Sequence, residues 1–239
     1  MKRLYISTFK NLLIAVILTA TLFGAMKVLK VDFVFDKALL LSVLATIFGV
    51  CYILTIRNPQ NYVGFYFGII SSVCLGVQFA FLGNFDLTFL YFFVFIPFQI
   101  SAIVSWEKKS VQNTDNEIFT PKFLNLKRRI FFILLFILII IIDYVFASFY
   151  LNLHKNGLFF DNFIIKTIFA IMISSSILAN FLMIGKWLET WIYWLIYSVA
   201  AIFSAIMLKN NFNLLLFVFF LIINAISFYS WLKIRKRTD

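Results

Sequence analysis

NFDLTFLYFF at residues 84–93 returns as NFNLLLFVFF at residues 211–220, a shift of 127 positions in a chain of 239. The likeness extends beyond both segments. After a two-residue slip, QISAIVSW (99–106) lies over NAISFYSW (224–231), which sets Gln99 against Asn224 and Trp106 against Trp231. Upstream, at the original shift, Phe67-x-x-x-Ser71 lies over Trp194-x-x-x-Ser198. Phe-rich segments match one another by chance, so the weight rests on the order of the pieces and their nearly constant spacing, the mark of an internal repeat.

The composition says what surrounds such a repeat. Hydrophobic residues make up 63% of the chain and charged residues 13%, and the mean hydropathy is +1.00; a soluble domain carries roughly 25% charged residues. The chain reads as an all-α integral membrane protein. A formal charge of +11 raises nucleic acid as a partner, but the basic residues form short clusters beside apolar runs, as membrane flanks do, and nucleic acid is set aside. Cys51 and Cys74 sit in separate spans without metal or disulfide spacing, and His154 is the sole histidine, so neither a zinc site nor a His-based triad is expected. No bound cofactor is called for.

Eight transmembrane helices are predicted, near residues 11–29, 38–56, 62–82, 86–105, 130–151, 162–184, 187–208 and 213–233. The basic start and apolar middle of MKRLYISTFKNLLIAVILTA have signal-peptide character, but no small-x-small cleavage site follows, and an uncleaved first span is expected. Lys and Arg then sort unevenly. Fifteen fall on the side that holds both termini, Arg57, the 107–129 linker and Lys186, and five on the other side, with Lys166 left within the sixth span. Since cytoplasmic flanks gather such residues, both ends are placed in the cytoplasm.

The repeat fixes the organisation. Three helices carry a chain to the opposite side, so one linking helix is needed before a parallel repeat can begin. The expected layout is a 3+1+3 parallel-repeat core plus one extra N-terminal helix: the extra helix and loop over 1–37, the first repeat over 38–106, a cytoplasmic loop over 107–129, the linking helix and loop over 130–160, the second repeat over 161–233 and a basic tail over 234–239. A binding site then falls near the midplane between the halves.

ETWIYWLIYS (189–198) supplies that site's chemistry. Trp191, Trp194 and Ser198 recur at spacings of three and four, hence on one helix face, with Asn180 approaching from the preceding helix. Interfacial tryptophans are common, and that reading suits Trp187, Trp106 and Trp231; Trp194 lies about two turns inside the span. A flat indole beside hydrogen-bonding groups suits a flat, polar, ring-bearing solute. Polar groups inside spans are costly and face a partner or a cavity. For Gln99 and Asn224 we expect a cavity or helix-bridging role. For serines such as Ser71 and Ser198, tight packing or back-bonding to the preceding turn is favoured. Asp143, the one deep acid, fits proton coupling, a structural pair or an interfacial position. Gly64, Gly68, Ser72 and Gly76 form a small-residue stripe for close helix approach, and Pro97 marks a kink before Gln99.

These stretches, SILANFLMIGKWLETWIYWLIYS (176–198), FGIISS (67–72) and IPFQISAIVSW (96–106), resemble the PnuC family of vitamin transporters, whose best-known members take up nicotinamide riboside. The resemblance covers residues from about 38 to 233. It implies a SWEET-like 3+1+3 fold, a homotrimer in the inner membrane of a bacterium, and facilitated diffusion of an unphosphorylated vitamin that a cytoplasmic kinase traps. Glu189, Trp191, Trp194 and Gln99 match the family motif, and the tryptophans and glutamine are expected to line the substrate pathway. Ser198 stands in place of the usual Asn or Asp, Ser71 in place of an Asn, and Ala102-Ile103 in place of Gly-Trp. A hydroxyl does not offer the paired donor and acceptor of an amide. Thiamine, riboflavin or a deoxynucleoside therefore stand beside nicotinamide riboside as cargo. The expected site comprises Trp191, Trp194, Ser198, Gln99, Asn180, Ser71 and Asn224. A substrate-binding subunit with a separate energising partner and a channel are the rival classes; an enzyme would need a nucleophile and base or a metal cluster, which the chain does not offer.

Overall fold

The computed structural model describes residues 2–28, 37–81, 85–112, 121–153, 163–207 and 211–236. Among them every regular element is helical: α1 (Lys2–Val28), α2 (Lys37–Ile56), α3 (Gly64–Phe81), α4 (Phe85–Phe89), a π-helical stretch (Leu90–Phe95) that leads into α5 (Ile96–Gln112), α6 (Leu126–Leu153), α7 (Phe163–Ile184), α8 (Glu189–Met207) and α9 (Asn211–Arg235). Seven stretches among the described residues are long and apolar enough to cross a membrane: 6–24, 39–56, 64–81, 87–107, 163–184, 189–207 and 216–235. α6, at 28 residues, turns Ile130, Ile133, Leu134, Ile137, Ile141 and Val145 outward, a face that water does not favour. Compared with the expected spans, α1 begins nearer the N-terminus, and the 107–129 linker is helical to Gln112 and again from Leu126. His154 lies outside the described residues.

The π-helical stretch is the local consequence of Pro97. A proline ring collides with the carbonyl four residues earlier and supplies no N–H; here that carbonyl belongs to Phe93, within the widened turns, and Ile96 N–H donates to the Tyr91 carbonyl five residues back. The expected irregularity is present as a π-bulge, spread over the two turns before the proline.

α2 packs along α3 and α7 along α8; α3 then meets α5, and α8 meets α9. Two further seams join these sets, α2 with α9 and α5 with α7. α1 lies on α2 and α9, and α6 lies along α7. The hydrogen bonds across the two seams mirror each other. Trp106 on α5 donates its indole N–H to the Met183 carbonyl at the end of α7, 3.1 Å away. Trp231 on α9 donates to the Arg57 carbonyl just past the end of α2, at 3.0 Å. Each indole also meets a ring edge-on: Phe65 against Trp106 at 4.8 Å and Trp191 against Trp231 at 5.4 Å. One register differs from the sequence alignment. Ser72, not Ser71, occupies the place in α3 that Ser198 occupies in α8, because Ser72 bonds Gln99 as Ser198 bonds Asn224. In a Phe-rich helix the composition tolerates a one-residue slip that hydrogen bonding does not.

Losing either indole bond while keeping a ring isolates its worth. Trp106→Phe and Trp231→Phe should each cost about 1 kcal/mol, a fall in melting temperature of roughly 2–4 °C for a chain of this length, measured by thermal unfolding in detergent. A neutral outcome for both would mean these bonds contribute nothing to joining the seams.

Candidate functional site

α7 ends in a Schellman turn: Trp187 N–H reaches back to the Leu182 carbonyl and Lys186 N–H to the Met183 carbonyl. Lys186 occupies the left-handed position, with φ of 56°. Glycine is usual there; lysine instead sets its ammonium 4.2 Å over the Trp106 ring. The turn then captures the segment before α6. Lys122 N–H donates to the Lys186 carbonyl and Leu188 N–H to the Lys122 carbonyl, and the Glu189 carboxylate accepts from Leu124 N–H at 3.1 and 3.2 Å and from Arg129 Nε at 3.0 Å. Glu189 is nearly buried, whereas Arg129 is half exposed. This acid is an anchor for the 121–125 segment.

From that turn α8 sends Trp191, Trp194 and Ser198 along one face, and α9 answers with Asn224, Ser227 and Trp231. The two faces meet at the Trp191–Trp231 ring contact and at Asn224 Nδ2, which donates to Ser198 Oγ at 3.0 Å. Ser198 gives its own proton to the Trp194 carbonyl at 2.9 Å, so toward Asn224 it accepts only. That arrangement fixes the amide: Nδ2 faces Ser198 and Oδ1 is left free. Between α5 and α3, Gln99 donates to Ser72 Oγ at 3.2 Å. A Cβ built on Gly68 would lie 3.0 Å from Gln99 Nε2 and 3.2 Å from the Tyr52 ring, so Gln99 and Tyr52 converge where α3 has no side chain.

The sequence-predicted residues divide accordingly. Trp191, Trp194, Ser198 and Asn224 are brought together, and Gln99 joins Ser72 between α5 and α3. Ser71 turns away: its hydroxyl donates to the Ala45 carbonyl of α2 at 2.8 Å. Asn180 is buried on α7 and donates to the Ser176 carbonyl of its own helix. Asp143 lies half-buried on α6, and Cys51 and Cys74 are buried free thiols. Two residues were not anticipated. Tyr52 Oη and Ser227 Oγ are buried with no hydrogen-bond partner among the described residues, as are Trp191 Nε1 and Asn224 Oδ1. Tyr52 sits in an apolar run, and the repeat sets Ala102 opposite Ser227, so neither carried a sequence signal.

Gly68→Ala tests the part played by Gln99. The added methyl presses on the Gln99 amide and Tyr52, while alanine gains about 0.8–1.0 kcal/mol of helix propensity over glycine; stability should hold nearly level in a melting experiment while transport falls severalfold. Equal transport would free Gln99 from any part in the site.

Residues 39–233 match the family described as Nicotinamide mononucleotide transporter. The chain belongs to this family, the PnuC transporters. It is therefore a membrane transporter and not an enzyme. The fold is similar to that in the crystal structure of the Vitamin B3 transporter PnuC, with a TM-score of 0.64, 20% sequence identity, and coverage of 97% of this chain and 98% of that one. No curated protein sequence matches.

Proposed function

We propose that this chain mediates facilitated diffusion of an unphosphorylated ring-bearing vitamin or nucleoside, with nicotinamide riboside first. The observation that carries the reading is the set of orphaned atoms beside the tryptophans: Trp191 Nε1, Asn224 Oδ1, Tyr52 Oη and Ser227 Oγ. Each buried group left unmet costs about 1–3 kcal/mol, which a ligand with complementary groups recovers. A carboxamide on an aromatic ring offers two N–H donors and one acceptor oxygen; Asn224 Oδ1 can accept from an N–H and Trp191 Nε1 can donate to the oxygen. Asn224, held by Ser198, thereby compensates for the amide that Ser198 itself lacks. All of these groups are neutral, so a phosphate placed among them would lack a counter-charge.

The same reading takes the mirrored seams as a 3+1+3 arrangement, with α2 to α5 and α7 to α9 as halves, α6 as an eighth span linking them and α1 outside. Alternating access is rocking of the halves at the α2–α9 and α5–α7 seams, with the basic ends in the cytoplasm of a bacterial inner membrane. Assembly as a homotrimer and trapping by a cytoplasmic kinase complete the scheme. A thermal-shift screen of purified protein against nicotinamide riboside, thiamine, riboflavin and deoxynucleosides tests the cargo, since a ligand bound only by the folded state raises the melting temperature. Selective stabilisation by nicotinamide riboside is expected. Stabilisation by another compound alone would reassign the cargo, and a flat response from folded protein would favour a channel.

A further inference from the structure

The two mirrored seams differ in what lies over them. At the α5–α7 seam the local cation is consumed: Lys186, 2% exposed, rests on the Trp106 ring. At the α2–α9 seam the chain leaves a shallow, largely open depression of about 320 Å³, lined by Arg57, Asn58, Ser230, Lys233 and Ile234. Neither the Arg57 nor the Lys233 side chain has a carboxylate partner among the described residues.

The walls carry hydrogen-bond donors as well as charge, and Arg57, Asn58 and Lys233 are exposed. Asn58 Oδ1 accepts from Gln60 N–H at 3.1 Å, which leaves its Nδ2 donors free. Ser230 commits its proton to the Ile226 carbonyl, so the donors available to a ligand are the guanidinium, the ammonium and one amide. The floor is held firmly, because Trp231 bonds the Arg57 carbonyl and Asn61, buried in the same turn, bonds Val63 N–H and Thr8. Arg57 just past α2, Lys233 on α9 and an amide donor, with no carboxylate partner among the described residues, match the oxygens of a phosphate group, which guanidinium binds through paired hydrogen bonds.

We propose that the Arg57–Lys233 cleft binds a phosphate-bearing anion that ties α2 to α9 and holds that seam closed. The site is separate from the neutral groups around Trp191 and does not rest on the cargo assigned to them. Either a soluble phosphate or the headgroup of an anionic lipid supplies this chemistry.

Purified full-length protein in a neutral detergent should melt about 2–4 °C higher in inorganic phosphate than in chloride of equal ionic strength, or on addition of phosphatidylglycerol relative to phosphatidylcholine. The first result identifies a soluble phosphate and the second alone identifies a lipid headgroup. Arg57→Gln/Lys233→Gln should abolish the effect, and Lys233→Glu, which offers Arg57 an internal partner, should abolish it without lowering the baseline melting temperature. Lys236→Gln, outside the cleft, should retain it. No stabilisation of the wild type by either probe, or stabilisation that survives in Lys233→Glu, overturns the proposal.

Discussion

Trp191→Phe should leave the protein folded and stop it from recognising its solute. The indole is wholly buried, and its N–H has no partner among the described residues. Phenylalanine keeps an aromatic ring against Trp231 and removes an orphaned donor whose burial costs about 1–3 kcal/mol. The melting temperature should therefore stay level or rise. Ligand affinity should fall by about tenfold or more, since roughly 1.4 kcal/mol corresponds to tenfold and a site left without its donor strands the ligand's acceptor. Trp191→Ala gives the contrast: truncating a buried tryptophan costs about 3–5 kcal/mol, so loss of fold and loss of binding arrive together. Melting curves with and without ligand separate the two variants. If Trp191→Phe bound its ligand as tightly as wild type, the N–H would play no part in recognition.

The second large effect is at Glu189. Glu189→Ala leaves the buried Leu124 N–H unmet and releases Arg129, at a cost of about 1–3 kcal/mol, and frees the 121–125 segment from the α7–α8 turn. Glu189→Gln keeps an oxygen for Leu124 and loses only the charge facing a half-exposed arginine, a loss below about 1 kcal/mol. Limited proteolysis near residues 121–125 should therefore accelerate strongly in the alanine variant and little in the glutamine variant. Equal protection in all three proteins would remove Glu189 from its anchoring role.

The parts of this fold that were legible in the sequence are those that the bilayer imposes. Apolar runs of about 20 residues have to become helices, because lipid offers backbone groups no other partner. Gln99, Asn224, Trp106 and Trp231 were also readable as special positions, since they stand out in an apolar background, and each bonds to another segment of the chain. Register was less secure: Ser71 and Ser72 are adjacent hydroxyls, and only the positions of Ala45 and Gln99 decide which one faces which neighbour. Tyr52 and Ser227 were illegible for a related reason. What sets them apart is a buried hydroxyl without a partner among the described residues, a property of the assembled packing and not of local pattern. Glu189 was visible as part of a motif whose tryptophans drew the attention, while its partners come from Leu124 and Arg129, some sixty residues earlier.

The central claim is that the neutral face formed by Trp191, Asn224 and their neighbours binds a ring-bearing solute and moves it without external drive. Counterflow in proteoliposomes preloaded with nicotinamide riboside tests it most directly, with labelled nicotinamide riboside outside and neither ATP nor an ion gradient present. Saturable accumulation of label by the wild type, lost in Trp191→Phe protein of unchanged melting temperature, is the predicted result. Accumulation undiminished in Trp191→Phe, or none in folded wild type, would contradict the account.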